Sequence, residues 1–203
     1  MASQRLPRTD IAALISASLA VLAPSYLGWW SIAPAEAWGF ATGFVCVWLV
    51  VRQHELNWPV GLANNILFFV LFWRGRLYAD MALQVVYFGL GVYGWHHWHF
   101  GVKGEPLLVT RTTRKEWLVI AVNGAAPFWD SLTTVASLTA QYLLTRKRLE
   151  NWLFWIAADV VYIPLYVSRD LPLTAVLYTI FLGMCLVGAR SWLVSTREAR
   201  LAS

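Results

Sequence analysis

The stretch NWLFWIAADVVYIPLYVS, residues 151–168, decides how this chain is read. It approaches the ~20 apolar residues a bilayer-crossing helix needs, and it carries one carboxylate, Asp159, near its middle. A counterpart lies 94 residues earlier, NWPVGLANNILFFVLFWR at 57–74. Sliding the chain by that interval places Asn57-Trp58 on Asn151-Trp152, Ala63 on Ala157, Leu71 on Leu165, Leu77 on Leu171 and Leu83 on Leu177. Gly89, Gly94 and Trp98 then fall on Gly183, Gly188 and Trp192, making nine identities across 57–98 without a gap. Upstream, Leu49 falls on Leu143 and Arg52 on Arg146. The punctuating Asn-Trp, Gly and Trp matches are harder to obtain by biased composition than the leucines. The chain reads as two copies of a three-helix unit, Ala37–His99 and Ser131–Val194.

Composition sets the environment. Of 203 residues, 59% are hydrophobic and 13% charged, against ~25% charged in ordinary soluble domains. There are 13 Trp, and mean hydropathy is +0.54. A soluble domain of this size has no interior large enough for that apolar surface. A soluble enzyme or nucleic-acid binder is therefore excluded, as is a disordered chain. Cys46 and Cys185 lie in apolar runs and read as free core thiols.

Eight helical segments follow from the apolar runs: Asp10–Trp30, Ala37–Arg52, Trp58–Arg74, Tyr78–His99, Glu116–Phe128, Ser131–Arg146, Trp152–Ser168 and Pro172–Val194. The first lacks a small-residue cleavage site and reads as a span rather than a signal peptide. Glu116–Phe128 is too short for an ordinary span. Charge distribution argues that it crosses nonetheless. With eight crossings and the N-terminus inside, 13 basic residues face the cytoplasm, and only Arg74, Arg76 and Arg169 face out. Without that crossing the count is 8 to 8. The positive-inside rule selects eight crossings with both termini cytoplasmic. An extra crossing is also what two odd-numbered repeats need to share one orientation. Like-oriented repeats are a transporter architecture, with substrate expected near the midplane between them.

Asp159 is the sharpest chemical signal. A mid-membrane ionisable group costs ~2.5–3.5 kcal/mol on insertion scales, so it faces a cavity or a partner. Trp155, Asp159, Tyr162 and Tyr166 are spaced to stack on one helix face. A carboxylate between rings suits a flat organic cation, through charge pairing and cation–π contact. The competing reading is an Asp that bonds a neighbouring helix. Asn64 and Asn65 occupy the same depth in the first repeat, Asn65 being the twin of Asp159. They could read ligand hydroxyls or carboxamide, or tie helices together. Gln84 and Tyr87, with twins Tyr178 and Phe181, and the face Thr134, Ser137, Gln141 complete a polar and aromatic set suited to an organic ligand. His96, His97 and His99 beside Trp95 and Trp98 read as an interfacial belt rather than a metal site. No phosphate-binding lysine motif, nucleophile–base pair or cofactor motif appears, so neither catalysis, ATP-driven transport nor a bound cofactor is expected.

The run Tyr93-Gly94-Trp95-His96-His97-Trp98 resembles the Y-G-W-x-x-W signature of PnuC-type nicotinamide riboside transporters. The resemblance extends through Trp58-Pro59-Val60-Gly61-Leu62-Ala63-Asn64, Gln84, Trp129-Asp130-Ser131-Leu132, Ser137 and Gln141. It continues in Arg146-Lys147-Arg148-Leu149-Glu150-Asn151-Trp152, Trp155-Ile156, Asp159 and Leu173-Thr174-Ala175 with Tyr178. It implies two three-helix bundles joined by a linker helix, related to the sugar-transporting SWEET fold. It also implies homotrimers and facilitated diffusion of a vitamin-like nucleoside, trapped inside by a separate kinase. Family substrate contacts map to Asn64, Gln84, Gln141, Trp155, Asp159, Tyr162 and Tyr178. The family often has Asn where this chain has Asp159, which leaves cargo identity open among nicotinamide riboside, thiamine and riboflavin. The linker is shorter than the family pattern, so it is either a short or re-entrant segment or residues are missing there.

The expectation is thus an all-α polytopic membrane protein. Its parts are an N-terminal helix and loop (1–36), a first three-helix repeat (37–99), a linker (100–130), and a second repeat with a cytoplasmic tail (131–203). It would sit in the inner (plasma) membrane, contacting lipid, a small vitamin substrate and two further copies of itself, and no nucleic acid. The set expected to bind substrate is Asn64, Gln84, Tyr87, Gln141, Trp155, Asp159, Tyr162 and Tyr178. Outside the transporter class, the rival is a scaffold protein whose polar groups pair with one another.

Overall fold

The computed structural model describes residues 6–29, 34–74, 76, 78–102, 105–117, 129–168 and 172–201. Among them the regular structure is helical: α1 (Arg8–Tyr26), α2 (Pro34–Val51), α3 (Asn57–Arg74), α4 (Tyr78–Phe100), α5 (Trp129–Thr145), α6 (Asn151–Ser168) and α7 (Pro172–Leu201). The described residues form no strand beyond two isolated bridges, Val102 with Glu105 and Thr110 with Arg148. Of the expected segment Glu116–Phe128, a helical turn at 114–117 is seen, and 118–128 lie outside the described residues.

Local chemistry explains the helix ends. α1 stops at Tyr26 rather than Trp30, because Pro24 sits in its last turn and Gly28 turns the chain at φ +70. α4 closes on Gly101 at φ +69, where a Cβ would strike the Glu105 carbonyl. α7 runs past Val194 to Leu201, since Ser195–Leu201 are largely polar residues that propagate a helix in water as readily as apolar ones do.

The chain divides into two units between Trp95 and His96. In the first, α1 packs on α2 and α2 on α3. In the second, α5 packs on α6 and α6 on α7.

The two units repeat the same local geometry at an interval of 94 residues. Both α2 and α5 end on a non-glycine residue in the left-handed region, Gln53 at φ 54 and Lys147 at φ 48. The same pair of backbone bonds closes each helix. Gln53 donates to Val50 (2.9 Å) and His54 to Leu49 (2.8 Å), while Lys147 donates to Leu144 (2.9 Å) and Arg148 to Leu143 (2.9 Å). This is the Schellman pattern, which satisfies the terminal carbonyls. In each following turn an Asn side chain donates back, Asn57 Nδ2 to the His54 carbonyl and Asn151 Nδ2 to the Arg148 carbonyl.

The indoles repeat as well. Trp58 of α3 lies against Gly94 of α4, and Trp152 of α6 against Gly188 of α7. Both indoles are buried, as are Trp98 and Trp192. Glycine, having no side chain, leaves room on the facing helix for the indole to pack against its backbone. In the second unit Trp192 stacks edge-on against Trp152 and tilted against Trp98, whose Nε1 donates to the Leu144 carbonyl at 3.2 Å.

Candidate functional site

In the second unit α6 and α7 meet through Tyr162 with Tyr178 and through Asp159 with Cys185. Asp159 is 5% exposed and accepts a hydrogen bond from Cys185 Sγ at 3.5 Å. Among the described residues no basic side chain pairs with it. One turn on, the Tyr162 ring packs against Tyr178 with centroids 5.1 Å apart, and Tyr178 meets Phe181 edge-on at 5.9 Å. The i, i+3 spacing of Asp159 and Tyr162 puts both on the side of α6 that α7 covers. Trp155 is half-buried on the same helix. On α5, Ser137 is buried, and Thr134 and Gln141 are half-buried. The side chain of Tyr166 lies outside the described residues.

In the first unit the corresponding residues lie on α3 and α4. Asn65 and Gln84 line one recess of about 180 Å³ with Ile66, Phe69, Val85 and Phe88. Asn64 takes another direction. Its Nδ2 donates to the Gly39 carbonyl at 3.0 Å and to Thr42 Oγ1 at 2.7 Å, binding α3 to α2. Neighbouring helical residues point about 100° apart, so of the two asparagines one braces a helix pair and the other meets the recess. Tyr87 is half-buried and does not line that recess.

Three residues carried weak signals in the sequence. Cys185 reads as an inert core thiol, yet it is the hydrogen-bond partner of Asp159. Its twin is Gly91, against which Leu62 of α3 packs, so the 94-residue register would have placed it on the buried face. Phe69 and Phe88 read as packing and turn out to wall the recess. A recess of this size is below the ~300–1,000 Å³ of small-molecule pockets. Among the described residues no three His, Cys, Asp or Glu side chains gather as metal ligands.

Comparison with known proteins gives the lineage. The family model described as nicotinamide mononucleotide transporter matches residues 33–126 and 120–194. The nicotinamide riboside transporter PnuC of Escherichia coli (strain K12) is 27% identical over 218 aligned positions, covering 86% of this chain and 91% of that protein. The riboflavin/roseoflavin transporter RibM of Streptomyces davaonensis is 25% identical over 184 positions, covering 80% and 86%. The crystal structure of the vitamin B3 transporter PnuC superposes with a TM-score of 0.72 at 20% identity, covering 96% of this chain and 94% of that one. The all-helical fold is thus shared with a solved transporter, and the lineage is one of membrane carriers rather than enzymes. With most of its length matched by the family model, the chain belongs to the nicotinamide mononucleotide transporter family.

Proposed function

We propose that this protein carries nicotinamide riboside across the inner (plasma) membrane by facilitated diffusion, and that a separate kinase traps the cargo inside. The observation that carries this reading is Asp159: a carboxylate buried in an apolar helix, beside stacked Tyr162 and Tyr178, with a thiol but no cation as its described partner. A buried charge requires compensation, and a pyridinium ring supplies both the positive charge and a flat face for the tyrosines. Trp155 adds a third ring, while Gln84, Tyr87 and Gln141 read ribose hydroxyls and carboxamide; Asn64, whose amide nitrogen is committed to Gly39 and Thr42, holds α3 on α2. The relatives named for nicotinamide riboside agree with that choice.

The family description names the mononucleotide, which bears a phosphate. Within the eight apolar segments the sequence places Arg or Lys only near the ends, at Arg52, Arg74, Arg146 and Arg190. A phosphomonoester deep in the protein would lack its usual guanidinium or ammonium partner and would meet the Asp159 carboxylate instead. That favours the riboside.

In this reading the chain has eight crossings, both termini cytoplasmic, and two like-oriented three-helix repeats (37–99 and 131–203) flanking a linker at 100–130 and preceded by an N-terminal helix at 1–36. Three copies assemble, and transport proceeds by alternating access. The matched helix ends and indole–glycine contacts support the repeats.

The relative named for riboflavin favours a second reading, a flavin carrier. One experiment separates the two. Purified protein in proteoliposomes takes up labelled nicotinamide riboside, with unlabelled riboside, mononucleotide, thiamine and riboflavin as competitors. Under the first reading only the riboside competes strongly. Asp159→Ala then weakens its apparent affinity about tenfold or more, the scale of one lost desolvated cation contact. Competition by riboflavin, with uptake indifferent to Asp159→Ala, selects the second.

A further inference from the structure

Arg52 and Arg146 stand 94 residues apart, in the turns that close α2 and α5. Each lays its guanidinium over an aromatic ring one helical turn earlier: Arg52 over Trp48 at 5.3 Å, Arg146 over Tyr142 at 5.0 Å. Those rings are also 94 residues apart. Each arginine then meets a carboxylate supplied from upstream of its own three helices. Asp10, in the first turn of α1, accepts from Arg52 Nε at 2.5 Å and Nη2 at 2.7 Å, and from Trp48 Nε1 at 3.3 Å. Glu116, in the turn at 114–117, lies 3.9 Å from Arg146 Nη1 and accepts from Arg148 Nη2 at 2.9 Å. Thr113 caps that turn by donating through N and Oγ1 to Glu116 Oε2, at 2.8 and 2.9 Å.

The two carboxylates are not themselves twins. Under the 94-residue shift Asp10 falls on Gly104. A carboxylate beside the arginine and its ring thus recurs from two different registers, which a plain duplication does not produce: Arg52 holds Asp10 by two hydrogen bonds, whereas Arg146 forms a 3.9 Å ion pair with Glu116 beside the hydrogen bonds that Arg148 makes to it. In both places it fastens the segment leading into a repeat onto the turn after that repeat's first helix. Asp10 is 5% exposed while Arg52 remains partly in solvent, so it is the carboxylate that loses its partner when the pair is broken.

We propose that Arg52 and Arg146 are twin positioning residues for transport. Arg52 fixes α1, and Arg146 together with Arg148 fixes the segment that ends at Glu116, so that each leading segment and its repeat move as one body. This rests on the reading of the chain as a carrier with like-oriented repeats. Such carriers work by largely rigid-body motion, so a loosened leading segment slows the conformational step and leaves cargo contacts intact.

The test uses the full chain in proteoliposomes with labelled nicotinamide riboside. Arg52→Gln and Arg146→Gln should each lower the maximal rate several-fold at an unchanged half-saturation concentration. The exchanged pair Asp10→Arg with Arg52→Asp should restore most of the rate, as should the conservative Arg146→Lys. A second measurement does not depend on cargo. A nitroxide on Arg8→Cys or Arg114→Cys, with both native cysteines replaced by alanine, should gain mobility when the adjacent arginine is neutralised. Wild-type rates in the neutralised variants, a loss expressed in half-saturation, or unchanged nitroxide mobility would each overturn the proposal. If wild-type protein moves no riboside while the nitroxide responds as expected, the cargo assignment fails and the clamps stand.

Discussion

Glycine is where single atoms decide packing in this molecule. A Cβ on Gly188 would come to 2.5 Å from the Trp152 ring, and one on Gly94 would collide with Trp58 in the same way. Both indoles are enclosed and cannot swing aside. Forcing extra atoms into a filled contact costs about 1–3 kcal/mol. Gly94→Ala and Gly188→Ala should therefore each lower the thermal unfolding midpoint in detergent. Gly89 and Gly183 are the control, another pair of twins, where an added methyl would have nothing within 4 Å. There Ala should be neutral or stabilise by about 0.5–1 kcal/mol through its better helix propensity. Equal losses at all four positions would refute the wedge. At this same scale Asp159 was legible as a buried charge, because a lone carboxylate among apolar residues stands out. Its Cys185 partner was not, since a thiol has the hydropathy of a core side chain. The choice between Asn64 and Asn65 was equally hidden, being one of helix rotation.

Most helices were legible as elements, because an apolar run of fixed length has few alternatives. α3, α4 and α6 begin or end within a residue of the apolar boundaries. The discrepancies arise where apolarity and helicity part company. α7 continues beyond its apolar part, and α1 stops at Tyr26, two residues after Pro24 and before its apolar run ends. The closing turns of α2 and α5 carried no sequence signal, since Gln53 and Lys147 occupy the left-handed position where glycine is usual. That conformation costs an L-residue about 1–2 kcal/mol. Gln53→Gly should raise stability by up to about 1 kcal/mol, part of the gain being lost to unfolded-chain entropy. Lys147 differs, because its ammonium sits 4.3 Å from the centre of the Trp98 ring. Lys147→Gly forfeits that cation–π contact, about 0.5–1 kcal/mol at an exposed site, and should come out near neutral. Denaturation of the two variants side by side checks the difference. An equal gain in both would mean that the Trp98 contact contributes nothing.

At the scale of the whole chain, the open matter is which side of the membrane each end occupies, and one short stretch controls it. Arg111, Arg114, Lys115, Arg146 and Arg148 crowd the polypeptide around the turn at 114–117. In the structure this region is strapped together. Glu150 accepts from Thr112 N and Oγ1, both at 2.7 Å, Arg148 reaches both Thr110 Oγ1 and Glu116, and Trp117 stacks on Phe154 at 6.0 Å. The α5–α6 turn and the stretch of chain before Glu116 therefore share one side of the protein. If α5 spans the bilayer, that shared side requires Glu116–Phe128 to cross as well, and this is also the arrangement in which charge counting puts the side in the cytoplasm. Single cysteines at Arg76, Thr112 and Arg197, in a background lacking Cys46 and Cys185, separate the two topologies. With the crossing, an impermeant maleimide added outside intact cells labels Arg76→Cys alone, and Thr112→Cys and Arg197→Cys react only after lysis. Without it, Arg197→Cys labels from outside. That result would leave the two repeats oppositely oriented, and with them would go both the like-oriented carrier and the common side assigned to the Arg52 and Arg146 clamps.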